Sequence, residues 1–189
     1  MSNHNELYHL SSKLEGELKF DSLTKSLYAT DASVYRRIPT AVAFPKSKSD
    51  IKELIKFSKE NHIGLIPRTA GTSLAGQCVG EGIVVDVSKH FTKILELDEQ
   101  NKTIVVEPGV IRDDLNRFLK PHGLFFGPNT STSNRCMIGG MVGNNSSGTT
   151  SIKYGVTRDK IVAMETILSD GNEVIFETIS NSDFMEKMS

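Results

Sequence analysis

Apolar residues near the start of the chain recur at three- and four-residue spacing, which predicts an amphipathic helix over about residues 5–28. The repeat consists of Leu7, Leu10, Leu14 and Leu18. Asp21 then stands where it can cap a second short helix that carries Leu23 and Leu27. We interpret residues 1–37 as an N-terminal helical segment that precedes the main domain.

After Pro39 the chain alternates between short apolar runs and one helical pattern. The runs at 41–44, 65–67 and 83–86 are typical of short buried strands. After the first run, Ser49 and Asp50 open a helix whose inner face is formed by Ile51, Leu54, Ile55 and Phe57. A strand, a helix and a strand within about 30 residues form a crossover unit.

A second block begins near Lys93 with two hairpin patterns separated by a helix. Residues 94–97 and 103–106 flank a polar turn, and residues 161–168 and 173–177 flank another. The helix between them has Ile111, Leu115, Phe118 and Leu119 as its apolar stripe, and Pro121 and Gly123 end it. The pattern therefore predicts an α+β protein with two small sheets.

Composition and charge exclude several classes of protein. Lys and Arg number 22 against 23 Asp and Glu, and a net charge of −1 argues against nucleic acid as the main partner. Cys78 and Cys136 cannot form a disulfide framework, and no apolar run approaches the roughly 20 residues needed to span a bilayer. The five scattered histidines show no metal-ligand spacing. We expect a cytoplasmic protein without a metal site or a membrane span.

The first stretch that suggests chemistry is residues 67–77, which follow a predicted strand. Its glycines and hydroxyl residues would let backbone N–H groups approach a ligand closely, and successive N–H groups in a tight turn bind anions. It is not a Walker loop, because Gln77 and Cys78 stand where Lys and Ser or Thr are needed, and it lacks the dinucleotide G-x-G-x-x-G. Alone, the stretch is equally compatible with a structural turn.

The second stretch, residues 127–151, reads GPNTSTSNRCMIGGMVGNNSSGTTS, and Gly, Asn, Ser and Thr fill 18 of its 25 positions. A loop this long without apolar periodicity is unusual in a compact domain unless it is functional or disordered, and its interspersed apolar residues argue against disorder. No Asp or Glu occurs from Leu115 to Arg158 or from Asn61 to Gly80. Two polar loops free of negative charge favour a bound anion such as a pyrophosphate over a merely solvated surface.

These two stretches, with other motifs between residues 30 and 177, resemble the FAD-binding domain of the vanillyl-alcohol oxidase and p-cresol methylhydroxylase (PCMH) superfamily. The branch is that of FAD-linked oxidases, which includes D-lactate and D-2-hydroxyglutarate dehydrogenases and the flavin subunit of glycolate oxidase. The motifs are TDASVY (30–35), AVAFPKSKSDI (41–51), PRTAGTSLAGQ (67–77), VEPGV (106–110), FGPNTSTSNRCMIGGMVGNNSSG (126–148), KYGVTRDKI (153–161) and LSDGNEV (168–174).

The resemblance implies a PCMH-type fold in which two α+β subdomains, residues 38–92 and residues 93–189, clasp an extended FAD. The family's pyrophosphate-binding loop corresponds to Arg68, Thr69, Ala70, Gly71, Thr72, Ser73, Leu74 and Gln77. Part of the second clasp corresponds to Pro128, Thr130 and Ser131, and its glycine-rich segment to Ile138, Gly139, Gly140, Gly143, Asn144, Asn145 and Gly148. FAD would carry the redox chemistry while the protein supplies position and electrostatics.

Three departures from the family pattern refine this expectation. The first loop lacks the His of members with histidyl-linked flavin, so we expect non-covalent FAD, with Cys136 as a buried small residue. Asn129 and Thr130 replace the Asp-Pro that often follows the proline of the second clasp. The chain ends at Ser189, before the family's substrate domain, so the resemblance implies a C-terminally truncated second subdomain. The parent's catalytic residues would lie further along, where some relatives also carry an iron–sulfur cluster.

The function implied by the resemblance is that of the N-terminal part of an FAD-dependent oxidoreductase. The intact enzyme would oxidise a D-2-hydroxy acid, of the D-lactate, glycolate or D-2-hydroxyglutarate type, by hydride transfer to FAD and then pass electrons to an unnamed acceptor. The chain alone is expected to be inactive and to bind FAD weakly or not at all, because the rest of the clasp is missing. The alternative hypothesis is a non-catalytic nucleotide- or phosphate-binding module.

Overall fold

The computed structural model describes residues 2–188, which form short helices, one four-stranded sheet and two separate hairpins, where the sequence predicted two small sheets. The helices are α1 (Ser2–Ser11), α2 (Ser22–Leu27), α3 (Lys48–Asn61), α4 (Arg112–Leu119), α5 (Ile138–Asn144), α6 (Ser151–Tyr154) and α7 (Asn181–Met188). The strands are β1 (Glu17–Lys19), β2 (Ala41–Phe44), β3 (Leu65–Arg68), β4 (Ile83–Asp86), β5 (Ile94–Asp98), β6 (Thr103–Val106), β7 (Ala163–Ile167) and β8 (Glu173–Glu177). Within residues 2–188, every helix is too short or too polar to cross a lipid bilayer.

The four-stranded sheet has the order β1-β2-β4-β3, with β2, β4 and β3 parallel and β1 antiparallel at one edge. All residues of β2 and β4 are buried, as expected for the central strands of a sheet covered on both faces. The predicted strands and the predicted helix are confirmed, and Leu54 of α3 is completely buried against them. Parallel pairing puts Arg68 beside Asp86, so the loop at residues 67–77 leaves the sheet at the carboxyl ends of β3 and β4.

The N-terminal region differs from the single helix predicted through Leu18. Helix α1 ends at Ser11, and Leu18 reaches the core from strand β1, which pairs with β2. The buried carboxylate of Asp50 fixes the preceding turn by accepting the backbone N–H groups of Glu15 (2.8 Å) and Gly16 (3.0 Å). The helical prediction is therefore wrong here, because pairing with a distant strand overrides the local apolar spacing.

Helix α2 begins as the sequence predicted, since the Asp21 carboxylate accepts the backbone N–H of Thr24 at 2.9 Å. Its two leucines, Leu23 and Leu27, nevertheless stay 69% and 65% exposed. Helix α2 is therefore held by its cap and its chain connections rather than by burial of an apolar face.

The second block packs around its own apolar cluster, which contains Leu115 and Leu119 of α4. Both predicted hairpins, β5–β6 and β7–β8, and the helix between them are confirmed. The stretch 127–151 is not a continuous loop, because residues 138–144 form α5. Its glycines and asparagines disfavour a helix, but Ile138 and Met141 are three residues apart and both enter the cluster.

Ion pairs connect the β7–β8 hairpin to α3, the helix that packs against the four-stranded sheet. Lys48 contacts Glu165 (2.9 Å) and Glu173 (3.0 Å), and Lys52 contacts Glu173 (2.7 Å). These are exposed pairs, so they fix the orientation of the hairpin more than they add stability. The last hairpin of the second block is thus joined to the helix that covers the four-stranded sheet.

Candidate functional site

The first loop (residues 67–77) and the glycine-rich segment (residues 138–148) meet in space, although about 70 residues separate them along the chain. A Cβ atom on Gly140 would lie 2.5 Å from the hydroxyl oxygen of Thr69, so Gly140 packs directly against the Thr69 side chain. The Gln77 side-chain amide donates a hydrogen bond of 2.7 Å to the side-chain oxygen of Asn144. The structure therefore brings the two predicted binding segments together.

The first loop owes its tight course to glycine and to one hydroxyl group. Gly71 and Gly76 adopt φ of 66° and 70°, which side-chain-bearing residues rarely tolerate. The Ser73 hydroxyl accepts the backbone N–H of Ala75 at 3.1 Å and donates to the Gln77 side-chain oxygen at 2.8 Å. The second contact orients the Gln77 amide toward Asn144, so the internal turn and the contact between the segments depend on each other.

The backbone N–H groups of residues 69–74 donate to no acceptor within the described part of the chain. These six amides are consecutive and lie in a loop that contains a left-handed glycine. A run of unpaired N–H groups in such a turn is an arrangement that binds anions. The loop thus presents donors in the place where the sequence predicted them.

Arg68 lies at the start of the first loop and packs behind it. Its Nη1 donates to the backbone oxygen of Thr30 at 2.8 Å, and a Cβ atom on Gly71 would lie 2.4 Å from its Nη2. No carboxylate of the described residues lies within 4.0 Å of its side chain, unlike that of Arg112, which pairs with Asp113. The positive charge of Arg68 beneath the loop is therefore not neutralised by an ion pair.

The turn at residues 128–131 packs directly against the end of the glycine-rich segment. A Cβ atom on Gly148 would lie only 1.4 Å from the backbone oxygen of Asn129, so glycine is required by the close approach. The Thr150 hydroxyl donates to the Gly127 oxygen at 2.9 Å. Pro128 is fully buried, and Thr130 donates to the Cys136 sulfur at 3.2 Å.

Arg112, at the start of α4, holds the chain that leads into this turn. Its side chain is 13% exposed and donates to the backbone oxygens of Pro128 (3.1 Å) and Phe126 (3.2 Å). Its third contact is with Asp113, and the hydrogen bond from Arg112 lowers the pKa of that carboxyl. The Ser133 hydroxyl also donates to Asp113, so α4 positions both ends of the turn.

The glycines of the glycine-rich segment have different surroundings. Gly139 abuts Pro108, whose Cβ would lie 2.4 Å from a Cβ on the glycine, and its N–H donates to the Pro108 oxygen at 2.8 Å. A Cβ on Gly143 would meet no atom within 4 Å. Close contacts with other residues thus require glycine at positions 139 and 148. Gly143 instead faces open space, next to Asn144, which accepts the hydrogen bond from Gln77 of the first loop.

The remaining predicted site residues lie on these two segments and on the turn at residues 128–131, with varied exposure. Ala70 and Thr72 are half-buried in the first loop, and Leu74 is 80% exposed. Ser131 is exposed. Asn145 has a left-handed backbone with φ of 47°, and its side-chain oxygen accepts the backbone N–H of Arg158 at 3.0 Å.

A carboxylate approaches the end of the first loop in space, although this loop has none in its sequence. Asp31 accepts a weak contact from the Cys78 thiol, with 3.7 Å between Oδ2 and Sγ. Burial opposes ionisation of Asp31, but hydrogen bonds from Ser33 and Cys78 together lower the pKa of this carboxyl. Burial raises the pKa of the Cys78 thiol, which argues against a reactive thiolate beside the first loop.

Several residues that shape the site were not predicted to belong to it. The N–H of Ala32 donates to the Gly71 oxygen at 3.2 Å, and Tyr35 packs against Gly76. Residues 30–35 and 106–110 carry motifs of the resemblance but no predicted site residue, and nothing in the sequence around Arg112 distinguishes it from a surface arginine. Within residues 2–188, His, Cys, Asp and Glu form no group of three that could hold a metal ion.

Comparison with known proteins gives consistent results at the levels of sequence and fold. A family model described as an FAD binding domain matches residues 39–177. The chain is 38% identical over 177 residues to D-2-hydroxyglutarate dehydrogenase of Haemophilus influenzae, covering 92% of this chain and 17% of that protein. It is 37% identical over 164 residues to glycolate oxidase subunit GlcD of Bacillus subtilis, covering 85% of this chain and 35% of that protein.

Solved structures show the same fold at lower identity. An alkyldihydroxyacetonephosphate synthase superposes with a TM-score of 0.80 at 20% identity, over 94% of this chain and 35% of the other. A p-cresol methylhydroxylase superposes with a TM-score of 0.79 at 17% identity, over 93% and 35%. The chain therefore has the PCMH-type fold and spans about a sixth to a third of the length of these relatives.

Proposed function

This chain belongs to the family of FAD-binding domains, and from that premise we propose that its first loop and glycine-rich segment together bind the diphosphate of FAD. The observation that carries the proposal is the run of six unpaired backbone N–H groups at residues 69–74, beside Gly140. The described protein supplies no acceptor for these donors, and a diphosphate offers several oxygens at one place.

The shape of the site also fits a cofactor that lies against the backbone. The open space at Gly143 is where a ligand can approach the glycine-rich segment without meeting a side chain. We propose that the binding residues are Arg68, Thr69, Ala70, Gly71, Thr72, Ser73, Leu74 and Gln77 of the first loop, with Pro128, Thr130, Ser131, Ile138, Gly139, Gly140, Gly143, Asn144, Asn145 and Gly148 opposite. Arg68 and the backbone amides would supply positive electrostatic potential, and the hydrogen bond between Gln77 and Asn144 would fix the distance between the first loop and the glycine-rich segment.

FAD is proposed to bind without a covalent link. The first loop carries no histidine, and both cysteines are buried, Cys78 at 7% and Cys136 at 5% exposure. The Cys136 thiol also lies 3.6 Å from the sulfur of Met141, inside the apolar cluster of the second block. Because both thiols are buried, neither is available for a covalent bond to a flavin.

We further propose that the whole protein is an FAD-linked oxidoreductase that acts on a D-2-hydroxy acid, of the D-2-hydroxyglutarate, glycolate or D-lactate type. Support comes from relatives that are named as D-2-hydroxyglutarate dehydrogenase and glycolate oxidase subunit. When bound, the flavin supplies the acceptor for the two electrons that leave the substrate. The residues of this chain hold and orient that acceptor, and the catalytic residues are proposed to lie outside residues 1–189.

Two further proposals concern organisation and location. Separate apolar clusters, one around Leu54 and one around Leu115, support a division of the binding domain into residues 38–92 and residues 93–189. Residues 1–37 would then form a segment outside both, although α1 and β1 contribute Leu10 and Leu18 to the first cluster. The two buried free thiols support a reducing, cytoplasmic location.

Titration of the chain with FAD tests the binding proposal, with flavin fluorescence and calorimetry as readouts. We expect weak but saturable binding, and we expect Gly140→Val to weaken it by about tenfold, or about 1.4 kcal/mol, because the branched side chain collides with Thr69. Gly64→Val is the matched control, since a Cβ on Gly64 meets nothing within 4 Å and Gly64 precedes the opposite end of β3.

The outcomes separate the two functions considered. No saturable FAD binding by the folded wild-type chain would refute the proposal, as would equal effects of the two valine variants. Tight binding of ATP without binding of FAD would instead support a nucleotide- or phosphate-binding module.

A further inference from the structure

A tyrosine outside both binding segments contacts the only charged side chain of the first loop. The guanidinium carbon of Arg68 lies 5.0 Å from the centroid of the Tyr28 ring, which is within the range of a cation–π interaction. The guanidinium also packs against Gly71, because a Cβ added there would lie 2.8 Å from its Cζ. The arginine is therefore in contact with both an aromatic ring and the backbone of the loop.

The Tyr28 ring is itself anchored from below. Its hydroxyl donates a 2.6 Å hydrogen bond to Asp86, a carboxylate that is 5% exposed at the carboxyl end of β4. The second oxygen of Asp86 accepts the backbone N–H of Ser88 at 2.8 Å. Burial and the bond to Asp86 raise the pKa of Tyr28, so the ring carries a neutral hydroxyl at physiological pH.

This arrangement keeps the arginine positive without pairing it. A carboxylate in direct contact would neutralise Arg68, but Asp86 engages the tyrosine hydroxyl instead, and no carboxylate in the described residues comes within 4.0 Å of Arg68. An aromatic face stabilises a cation while leaving its charge available to a nearby anion. The backbone oxygen of Thr30 takes one of its donors and sets its direction.

We propose that Tyr28 is a positioning residue that holds the unneutralised guanidinium of Arg68 against Gly71, so that its charge attracts the diphosphate bound by the first loop. The inference rests on the proposed FAD binding and extends the site to a residue from the N-terminal segment. Arg68 would then act from behind the backbone, with the amides of residues 69–74 as the direct donors.

A double-mutant cycle on the 189-residue chain tests this, with Tyr28→Leu, Arg68→Met and the double variant titrated with FAD and with ADP. We expect each single variant to weaken binding of both ligands about fivefold at about 0.05 M NaCl and by less than about twofold at about 0.5 M NaCl, because the lost contribution is a screened charge. The double variant should lose little more than either single variant, since both remove the same interaction.

Two controls separate positioning from a general loss of structure. Tyr28→Phe keeps the ring and should retain most of the affinity. Tyr8→Leu removes an aromatic ring that packs edge-on against Phe20 and should change nothing. Thermal unfolding of each variant shows whether it is folded. If Tyr28→Leu fails to fold, the FAD affinities of two other variants decide in its place. Tyr28→Phe keeps the ring and should bind FAD more tightly than Arg68→Lys, which keeps the charge but loses the planar stack.

Each outcome bears on a different claim. Equal loss at both salt concentrations, additive effects in the cycle, or a loss in Tyr28→Phe equal to that in Tyr28→Leu would overturn the positioning role while leaving FAD binding intact. No saturable binding of FAD or ADP by the wild-type chain would overturn the proposed function and this inference together.

Discussion

Replacement of Gly148 by alanine tests whether the turn at 128–131 and the glycine-rich segment depend on close backbone contact. The added Cβ would lie 1.4 Å from the Asn129 oxygen and 2.6 Å from its carbonyl carbon. Contacts of Cβ atoms shorter than 3.0 Å essentially do not occur, so the oxygen must retreat by at least about 1.6 Å. Because the obstacle is backbone rather than the end of a side chain, no rotamer change can relieve it.

The cost can be estimated from general values for overpacking. Forcing an extra carbon into a packed site costs about 1–3 kcal/mol, and the rigid backbone places this case at the upper end, about 2–3 kcal/mol. For a chain of this size, each kcal/mol lowers the melting temperature by about 2–4 °C, so we expect a fall of about 4–12 °C. Scanning calorimetry or thermal unfolding followed by circular dichroism measures it directly.

Gly143→Ala provides the matched control in the same segment. Its Cβ meets no atom within 4 Å and lies in α5, where alanine is preferred to glycine by about 0.5–1 kcal/mol. We expect an unchanged or slightly higher melting temperature. A Gly148→Ala variant that melts within about 2 °C of the control would refute the claim that this contact requires glycine.

Three other predictions follow from named contacts. Gly143→Val should fold normally yet weaken FAD binding, because its side chain fills the open space beside Asn144, and flavin titration at unchanged affinity would contradict that placement. Arg112→Met should lower stability by about 2 kcal/mol, measured by denaturant unfolding, because two backbone oxygens lose a charged donor; a loss below about 0.5 kcal/mol would count against it. Hydrogen bonds from Lys89 and Lys19 lower the pKa of Glu17 to about 2, so its stabilising contribution is complete above about pH 4.5 and is lost as pH falls toward 2. Glu17→Gln should flatten the dependence of the unfolding free energy on pH in this range. An identical dependence in the variant and the wild type would disprove the pairing.

The sequence alone identified the elements whose signals are local. Helix α3 and both hairpins follow from apolar periodicity and turn residues, which act over a few positions. The first loop and the glycine-rich segment were predicted from their small residues and their lack of carboxylates. These properties depend on the chain itself, because close backbone approach requires glycine wherever it happens.

Local patterns failed where distant partners decide the conformation. Leu18 continues a helical spacing, yet pairing with β2 makes it part of a strand. Ile138 and Met141 turn a glycine-rich stretch into α5 because a cluster built largely from residues 94–126 accepts both side chains. Neither outcome is visible in a window of ten residues, since the stabilising contacts come from elsewhere in the chain.

The composition of the two proposed binding segments was therefore a property of the sequence, and their meeting was a property of the tertiary structure. Gly140 faces Thr69, and Gln77 reaches Asn144, only because two separate packed clusters fix the segments opposite each other. The same packing brings Tyr28 under Arg68, a contact across 40 positions that no periodicity encodes. The local sequence determines which residues have the small side chains and free amides that can bind an anion. The burial of apolar side chains that are distant in sequence determines where these residues lie in space.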